Sequence, residues 1–479
     1  MSADQRPNLV FIVTDQQRLD TIRALGYDYM DTPNLDRLVA RGSSFMNMYV
    51  TSPSCAPSRA SLFSGTYPHT NGVFRNDEPW SWSWVSLLSQ AGYRCVNVGK
   101  MHTMPIEGAF GFHERHVVEN KDRAHPSLPF YLDTWDKALW IRGREKPSRV
   151  TYRRRNDYGD RLGAFLWELE EDLHPDMFVG NLACMWLDRY PGREPFFLEV
   201  GFPGPHPPYD PTADYLAPYL DRDLPEPIRD YDLDTQPRPL RELRAHHRSH
   251  DHDAIVQLAD PSPEQWHRQR AHYYANVSMI DTQIGKILDA LERRGVLDNT
   301  VIVFTSDHGD CLDDHGHSQK WTMYEQSVHV PAVVSGPRVA RGVRIEGLTS
   351  LMDFGPTILE LAGIVPPSWM EARSLVACLE GKGGPTRQCV FAEHANDKIL
   401  EQTEYMTMIR AGRWKLVHFV DFAEGQLFDL GADPRETRNL WSDPEHDPTR
   451  RRLLDEILAW RIRSDKITQG FRSELARRC

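Results

Sequence analysis

The stretch Asn8-Leu-Val-Phe-Ile-Val-Thr-Asp-Gln16 lies near the N-terminus and decides the fold class. Its apolar and β-branched residues from Leu9 to Thr14 predict a buried strand, and the polar pair Asp15-Gln16 follows directly. Further along the chain, apolar runs of the same kind alternate with segments of helical periodicity. This alternation predicts an α/β protein with a large, mainly parallel sheet sandwiched by helices.

The remaining elements fall into two regions. Three more strands of the large sheet are predicted at 94–98, 196–201 and 300–305, and helices at 34–41, 58–63, 84–90, 264–294 and 352–362. A smaller antiparallel sheet is predicted from strands at 390–394, 405–410, 414–419 and 426–430, with a closing helix at 450–463. We therefore predict a large domain over residues 1–375 and a smaller C-terminal α+β subdomain over 376–479.

Composition limits the class of protein. Of the 479 residues, 40% are hydrophobic, and 68 acidic against 56 basic residues give a net charge of −12, which argues against nucleic-acid or membrane-surface partners. The seven cysteines are widely spaced without a CxxC pair, so we expect neither disulfides nor a zinc ribbon. No apolar run approaches the roughly 18 residues of a membrane span. These features predict a cytoplasmic protein.

Residues 203–253 look irregular. Ten of the 34 prolines fall between Pro203 and Pro239, and a polar, His-rich stretch follows. We predict a long surface excursion near the functional site, acting as a lid or a subunit contact. The four histidines of this stretch are expected on a solvated loop rather than at a metal; they are His246, His247, His250 and His252.

Polar residues follow four of the predicted strands, where ligands bind in open parallel sheets. They are Asp15-Gln16, Lys100-Met101-His102, Pro205-His206-Pro207 and Asp307-His308. The first and last of these groups offer three oxygen donors and one imidazole. That donor set suits a divalent cation that prefers hard ligands, such as calcium, magnesium or manganese, better than zinc.

The segment Cys55-Ala-Pro-Ser-Arg59, followed by a helix and a glycine, resembles the signature of the formylglycine-dependent sulfatases of the alkaline phosphatase superfamily. Three further family motifs have counterparts in the same order, at Gly99-Lys-Met-His102, Pro205-His-Pro-Pro-Tyr209 and Phe304-Thr-Ser-Asp-His-Gly309. The resemblance covers residues 8–360. It implies an alkaline phosphatase-like fold and kinship with arylsulfatases, choline sulfatases and phosphonate monoester hydrolases.

The resemblance implies that a formylglycine-generating or other sulfatase-maturing enzyme oxidises Cys55 to formylglycine, whose hydrate, a geminal diol, attacks the sulfur of the ester. It also implies that Asp15, Gln16, Cys55, Asp307 and His308 bind one divalent ion. Calcium is the first choice. Manganese and magnesium are alternatives, because many relatives have Asp at the position of Gln16 and this site would carry less negative charge.

Further site residues are also implied by the resemblance. The catalytic set adds Arg59, Lys100, His102, His206 and Lys320, and the substrate-binding set is Asn76, Lys100, His206 and Lys320. Arg59 and Lys100 would hold the diol and the sulfate oxygens, and His102 would assist collapse of the diol. Lys320 and His206 would contact the ester, and one of them, with His206 as the first choice, would favour departure of the alcohol. Asn76 has a second interpretation as a turn residue.

We therefore predict a sulfuric ester hydrolase that splits a small aryl or alkyl sulfate into an alcohol or phenol and inorganic sulfate. The resemblance also implies a homo-oligomer, a dimer or a tetramer. The alternative activity is phosphonate monoester or phosphodiester hydrolysis with the same nucleophile and metal. Those relatives replace the Gly-Lys-x-His segment with a Tyr- and Thr-rich one, whereas this chain has Lys100 and His102. A non-catalytic, metal-stabilised binding protein is the rival from another class.

Overall fold

The computed structural model describes residues 6–119, 131–147, 149–383, 387–397, 399–401 and 403–471. The strands are β1 (Asn8–Asp15), β2 (Gly42–Phe45), β3 (Met48–Tyr49), β4 (Arg94–Gly99), β5 (Glu114–Val117), β6 (Phe196–Pro205), β7 (Thr300–Ser306), β8 (His329–Val330), β9 (Ala332–Ser335), β10 (Val343–Ile345), β11 (Thr349–Ser350), β12 (Cys389–Ala395), β13 (Tyr405–Ala411), β14 (Trp414–Phe419) and β15 (Gly425–Asp429).

Helices precede, connect and follow these strands. They are α1 (Pro33–Arg41), α2 (Cys55–Ser64), α3 (Pro68–Asn71), α4 (Val85–Gln90), α5 (Thr134–Ile141), α6 (Arg149–Tyr152), α7 (Pro175–Arg189), α8 (Ala213–Leu220), α9 (Arg238–Ser249), α10 (Pro263–Arg293), α11 (Glu325–Val328), α12 (Phe354–Leu361), α13 (Val376–Leu379) and α14 (Asp447–Ile467). Among the described residues, none of the helices combines the length and the hydropathy that crossing a membrane requires.

Eight strands form the main sheet, in the order β10-β2-β9-β7-β1-β6-β4-β5. Strand β1 lies in the middle and pairs in parallel with both β6 and β7. The pairs β4–β6, β4–β5 and β2–β10 are also parallel, whereas β9 runs antiparallel to β2 and β7. The sheet is therefore mixed but mostly parallel, which confirms the predicted fold class.

Alternation along β1 explains the layers. Leu9, Phe11 and Val13 belong to a core that includes residues of α2, α4 and α12 on one face of the sheet. Val10 and Ile12 belong to a second core on the opposite face, with residues of α1, α7 and α10. Because successive side chains of a strand point to opposite faces, a strand that is apolar at every position must be covered on both sides.

The C-terminal strands β12 to β15 form a separate antiparallel sheet of four strands, as predicted. A buried charge cluster ties this sheet to the main part of the chain. Lys415 of β14 is fully buried, and its ammonium lies 2.9 Å from Glu325 Oε1 of α11 and pairs with Glu436. The proposed division at residue 375 stays a prediction.

Two local expectations are corrected. Helix α2 begins at Cys55 rather than at residue 58, because Pro57 in the first turn lacks only an N–H that would have no helical partner. The prediction of a solvated His-rich loop is wrong for His247, which lies in the last turn of α9 and is 2% exposed. The apolar residues Leu240 and Leu243 hold this helix against the core, so its charged composition concealed an amphipathic element.

Burial of a histidine in α10 predicts a stability that depends on pH. His272 is 3% exposed, and burial lowers its pKa to about 4. In the unfolded chain this histidine has a pKa of about 6.5, so as the pH falls the unfolded state binds a proton at His272 before the folded state does. We expect wild-type protein to lose about 2–3 kcal/mol between pH 6.5 and 4 that His272→Gln does not lose.

The measurement is urea denaturation of both proteins across this pH range. His250→Gln is the control, because His250 is exposed, and we expect it to follow the wild-type pH dependence. Equal pH dependence of His272→Gln and wild type would contradict the prediction.

Candidate active site

Four strand ends meet at one edge of the main sheet. The neighbouring strands β7, β1, β6 and β4 run in parallel, so their carboxyl ends lie side by side. The polar groups that follow them are Asp307-His308, Asp15-Gln16, His206 and Lys100. These side chains therefore lie together at the edge of the sheet where the sequence predicts the site.

Asp15, Cys55, Asp307 and His308 form a buried group whose ligand atoms all lie within 4.8 Å of one another. The Nδ1–H of His308 donates to the backbone oxygen of Gly309 at 2.9 Å, so its Nε2 lone pair faces the group. Nε2 lies 3.5 Å from Asp15 Oδ1 and 3.7 Å from Asp307 Oδ1. Two carboxylates and an imidazole nitrogen fit a divalent cation.

Cys55 occupies the first position of α2, where the helix N-terminus favours negative charge. Its Sγ lies 3.1 Å from His308 Nε2 and 3.0 Å from Lys320 Nζ, and the residue is 1% exposed. Burial and the Asp15 carboxylate raise the pKa of this thiol. The cations Lys320, Lys100 and His308 outweigh them, so the pKa of Cys55 lies below its usual value.

Lys320 links the cysteine to Gln16. Its Nζ donates to Gln16 Oε1 at 2.9 Å, and the amide nitrogen of Gln16 donates to Asp310 Oδ2 at 2.7 Å. Burial alone would lower the pKa of Lys320, but Cys55 and Asp15 raise it above its usual value. The Lys320 ammonium is therefore charged, and the side-chain oxygen of Gln16 faces this ammonium rather than solvent.

Arg59 and Lys100 neutralise the two aspartates of the group. Arg59 Nε lies 2.6 Å from Asp307 Oδ2, and both side chains are fully buried. Lys100 pairs with Asp15 Oδ2 and is also fully buried. The backbone of β6 approaches Lys100 so closely that a Cβ on Gly201 would lie 1.9 Å from the Lys100 carbonyl oxygen. Glycine is required there to keep Lys100 at the site.

His206 lies at the same edge and is 5% exposed. Its Nδ1–H donates to Pro207 O at 2.8 Å, and its Nε2 lies 3.6 Å from Asp253 Oδ2. Burial and then Lys320 lower the pKa of His206 to about 3, whereas Asp15 and Asp253 act in the opposite direction. Its protonation state therefore depends on the balance of charges around it.

The other two predicted residues are placed by backbone contacts. His102 has a left-handed backbone (φ 59°), and its N–H donates to Glu119 Oε1 at 3.0 Å. The Asn76 side-chain oxygen accepts from the backbone N–H of Ala56 at 3.2 Å. Asn76 thus caps the first turn of the helix that begins at Cys55, which brings it next to the site.

Left-handed backbone conformations cluster around the site. Gln16, Gln319 and Trp321 have φ angles of 73°, 58° and 70°, although none of them is a glycine. Such conformations cost free energy and persist where the surrounding structure imposes them. The last two flank Lys320, so the strained segment fixes the position of that ammonium.

Sequence reasoning missed two acidic residues. Asp310 is fully buried and accepts hydrogen bonds from Gln16 and from the Tyr209 hydroxyl, the latter at 2.6 Å. Its signal was present, because it lies three residues after Asp307 on the same strand-end loop. Asp253 lies in the irregular stretch, where no periodicity or motif distinguishes it from its neighbours.

The fold and the site together define a hydrolase of the alkaline phosphatase superfamily, with a buried group of side chains that could hold a metal ion. The sulfatase family model matches residues 7–364, and the model for the C-terminal region of N-sulphoglucosamine sulphohydrolase matches residues 313–463. The chain belongs to the sulfatase family and is a sulfuric ester hydrolase, as predicted.

Individual relatives agree with this assignment. The chain is 32% identical over 474 residues to an arylsulfatase of Clostridium perfringens, with 94% of each chain covered. It is 31% identical over 452 residues to a choline-sulfatase of Rhizobium meliloti, covering 92% of this chain and 83% of that one. A solved structure, the phosphonate monoester hydrolase of Agrobacterium radiobacter, superimposes with a TM-score of 0.78 at 25% identity over 96% of each chain.

Proposed function

We propose that this protein hydrolyses a small organic sulfate monoester, an aryl or alkyl sulfate, with a nucleophile made from Cys55 and with one divalent metal ion. The observation that carries the proposal is the position of Cys55. Its sulfur is buried at a helix N-terminus, 3.1 Å from His308 Nε2 and 3.0 Å from Lys320 Nζ, within a group of metal-type ligands.

The cations of the site match the charge of the substrate. A sulfate monoester is an anion, and its charge distribution changes as the S–O bond breaks, so positioned cations stabilise the transition state. Lys320 already contacts Cys55 and is available to the oxygens of a bound sulfate. Lys100, which follows β4, pairs with Asp15 at the end of β1. Arg59 holds Asp307 in place and leaves its second carboxylate oxygen toward His308.

We propose Asp15, Gln16, Asp307 and His308 as the protein ligands of the ion, together with residue 55. A divalent cation bound there would polarise the sulfate and favour the deprotonated nucleophile. Calcium is our first choice, with manganese or magnesium as alternatives. Formylglycine at position 55 would supply an oxygen nucleophile in place of the thiol sulfur.

His206 is proposed as the acid for the leaving group, and Asn76 and His102 as neighbours that orient residue 55 and the substrate. Nε2 of His206 is the nitrogen available to the ester, because Nδ1 is committed to Pro207 O. Transfer of its proton to the departing oxygen avoids release of an alkoxide or phenoxide. The effect grows as the alcohol becomes less acidic.

A second candidate function is hydrolysis of phosphonate monoesters or phosphodiesters. It is favoured by the structural similarity to a phosphonate monoester hydrolase over 96% of the chain. The two arylsulfatase and choline-sulfatase relatives are more similar in sequence, at 32% and 31% identity. We therefore place sulfate esters first.

The test compares kcat/KM for an aryl sulfate with that for the matching aryl phosphonate monoester, after chelation and reloading with calcium, manganese or magnesium. We expect the sulfate to be preferred by at least about tenfold, which is about 1.4 kcal/mol of transition-state stabilisation. Chelation should remove most of the activity, because both carboxylates of the group then lack their cation. Preference for the phosphonate would favour the second candidate, and full activity after chelation would contradict the metal site.

The cytoplasmic location, the maturing enzyme as a partner and the dimer or tetramer stay predictions. The six cysteines of the described residues form no disulfide.

A further inference from the structure

A tight turn brings an unassigned carboxylate to the proposed leaving-group acid. Asp253 and Ala254 have φ angles of 51° and 68°, and the backbones of His252 and Ile255 exchange hydrogen bonds of 3.1 and 2.9 Å around them. Positive φ at both central residues is the pattern of a type I′ turn, which favours Asn or Asp followed by Gly. Ala at the second position is strained, so the surroundings impose this conformation.

The turn aims the Asp253 carboxylate at two cations. Oδ1 lies 3.0 Å from Arg149 Nη2 of α6, and Oδ2 lies 3.6 Å from His206 Nε2. The side chain is only 26% exposed, and Arg149 also donates to the backbone oxygen of Asp251 at 3.4 Å. Asp253 is therefore fixed from both sides, by its own backbone and by Arg149.

Both ring nitrogens of His206 face oxygen acceptors. Nδ1 donates to Pro207 O, so a neutral ring would present a bare Nε2 to the Asp253 carboxylate. A second proton on Nε2 would suit the Asp253 carboxylate as well, and this charged form is opposed by burial and by Lys320, which hold the pKa of His206 at about 3. At 3.6 Å the second contact is an ion pair rather than a hydrogen bond.

We propose that Asp253 is a positioning residue for His206: its carboxylate keeps Nε2 turned toward the ester oxygen and stabilises the positive charge of the ring until the proton is transferred. This inference rests on the proposed function of the site. A bound sulfate monoester adds negative charge beside Lys320, which favours the same charged ring.

In the proposed step, one proton moves from His206 to the leaving group. The bond between sulfur and the ester oxygen breaks, and its electron pair stays on that oxygen, which takes the proton from His206 Nε2. The sulfuryl group forms its new bond to the nucleophilic oxygen of residue 55, which enters the step already deprotonated, and His206 is left neutral, with its remaining proton on Nδ1 toward Pro207 O. Asp253 gains and loses no proton.

The experiment measures kcat/KM of Asp253→Asn on a series of aryl sulfates whose phenols have pKa values from about 7 to about 10. We expect a loss of about 30-fold for phenyl sulfate and of less than about threefold for 4-nitrophenyl sulfate, because only the poorer leaving group needs the proton. Equal losses along the series, or no loss at all, would overturn the inference.

Asp251→Asn is the matched control. Asp251 lies two residues before Asp253. Its carboxylate accepts a hydrogen bond from the Tyr158 hydroxyl at 2.7 Å. Its loss removes a carboxylate from the same segment without removing the one at His206. We expect kcat/KM of Asp251→Asn to fall by less than about threefold for both esters, with an unchanged dependence on the leaving group.

A double-mutant cycle separates positioning from a structural effect. In a His206→Ala background, Asp253→Asn should lower kcat/KM for phenyl sulfate and for 4-nitrophenyl sulfate by the same factor, without further discrimination between the two esters. If the discrimination persisted there, Asp253 would not act through His206. The wild-type series tests the proposed function independently: a wild type inactive on every sulfate would contradict that function, and the same comparison on aryl phosphonates would then decide the inference.

Discussion

Cys55→Ala is expected to lower kcat/KM for an aryl sulfate by about 10⁴-fold or more, because the nucleophile is lost while the cations around it remain. A peptide that contains residue 55 should be about 18 Da lighter in active wild-type protein than its sequence mass, since CH₂SH becomes CHO. The measurements are steady-state kinetics and peptide mass spectrometry.

Cys95→Ala provides the control for this variant. Cys95 is also fully buried, but burial raises its pKa to about 12, and it lies within β4 away from the cations of the site. We expect its activity to stay within about threefold of wild type. Fully active protein with an unmodified Cys55 peptide would contradict the proposed nucleophile, and so would a Cys55→Ala variant that kept a tenth of the activity.

Arg59→Met is expected to cost about 3–5 kcal/mol of stability, because it leaves the fully buried Asp307 carboxylate without its ion-pair partner. Arg59 also donates to the backbone oxygens of Lys100 and Thr14, at 2.8 and 3.4 Å, so the loss extends to the strand ends. The measurement is urea denaturation in the presence of a chelator, which keeps metal binding out of the comparison.

The control is Arg37→Met on the surface of α1. Arg37 pairs with Asp289 at 3.2 Å, but their side chains are 42% and 54% exposed. Solvent screens such a pair, and we expect its loss to cost about 0–1 kcal/mol. A similar cost for the two variants would show that the buried pair contributes nothing beyond an ordinary surface contact.

The architecture was predictable because its signals are local and repeated. The apolar stretch that begins at Asn8 is covered on both faces, and every polar strand end quoted from the sequence lies at one edge of the sheet. Parallel pairing makes that convergence geometrically necessary. The positions of Asp15 and Asp307 relative to each other therefore followed from the sequence alone.

Features that depend on tertiary contacts were not predictable. Leu240, Leu243 and His247 share one face of α9, but the arginines and histidines around them give the segment the composition of a polar loop. The orientation of Asp253 depends on a left-handed pair of residues without glycine, which no turn preference indicates. Helix α7 was missed for a similar reason, since its apolar residues cover too much of its circumference to show a clear period.

The buried triad of Lys415, Glu325 and Glu436 restricts how such proteins can be recombined. Glu325 follows the Lys320 segment by only five positions, while its cationic partner is supplied from β14, about ninety positions downstream. A chimera whose C-terminal sheet came from a relative without a lysine at position 415 would leave the carboxylates of Glu325 and Glu436 buried without a cation. A chimera therefore has to take all three residues of the triad from the same parent protein, whatever alcohol that parent's substrate contains.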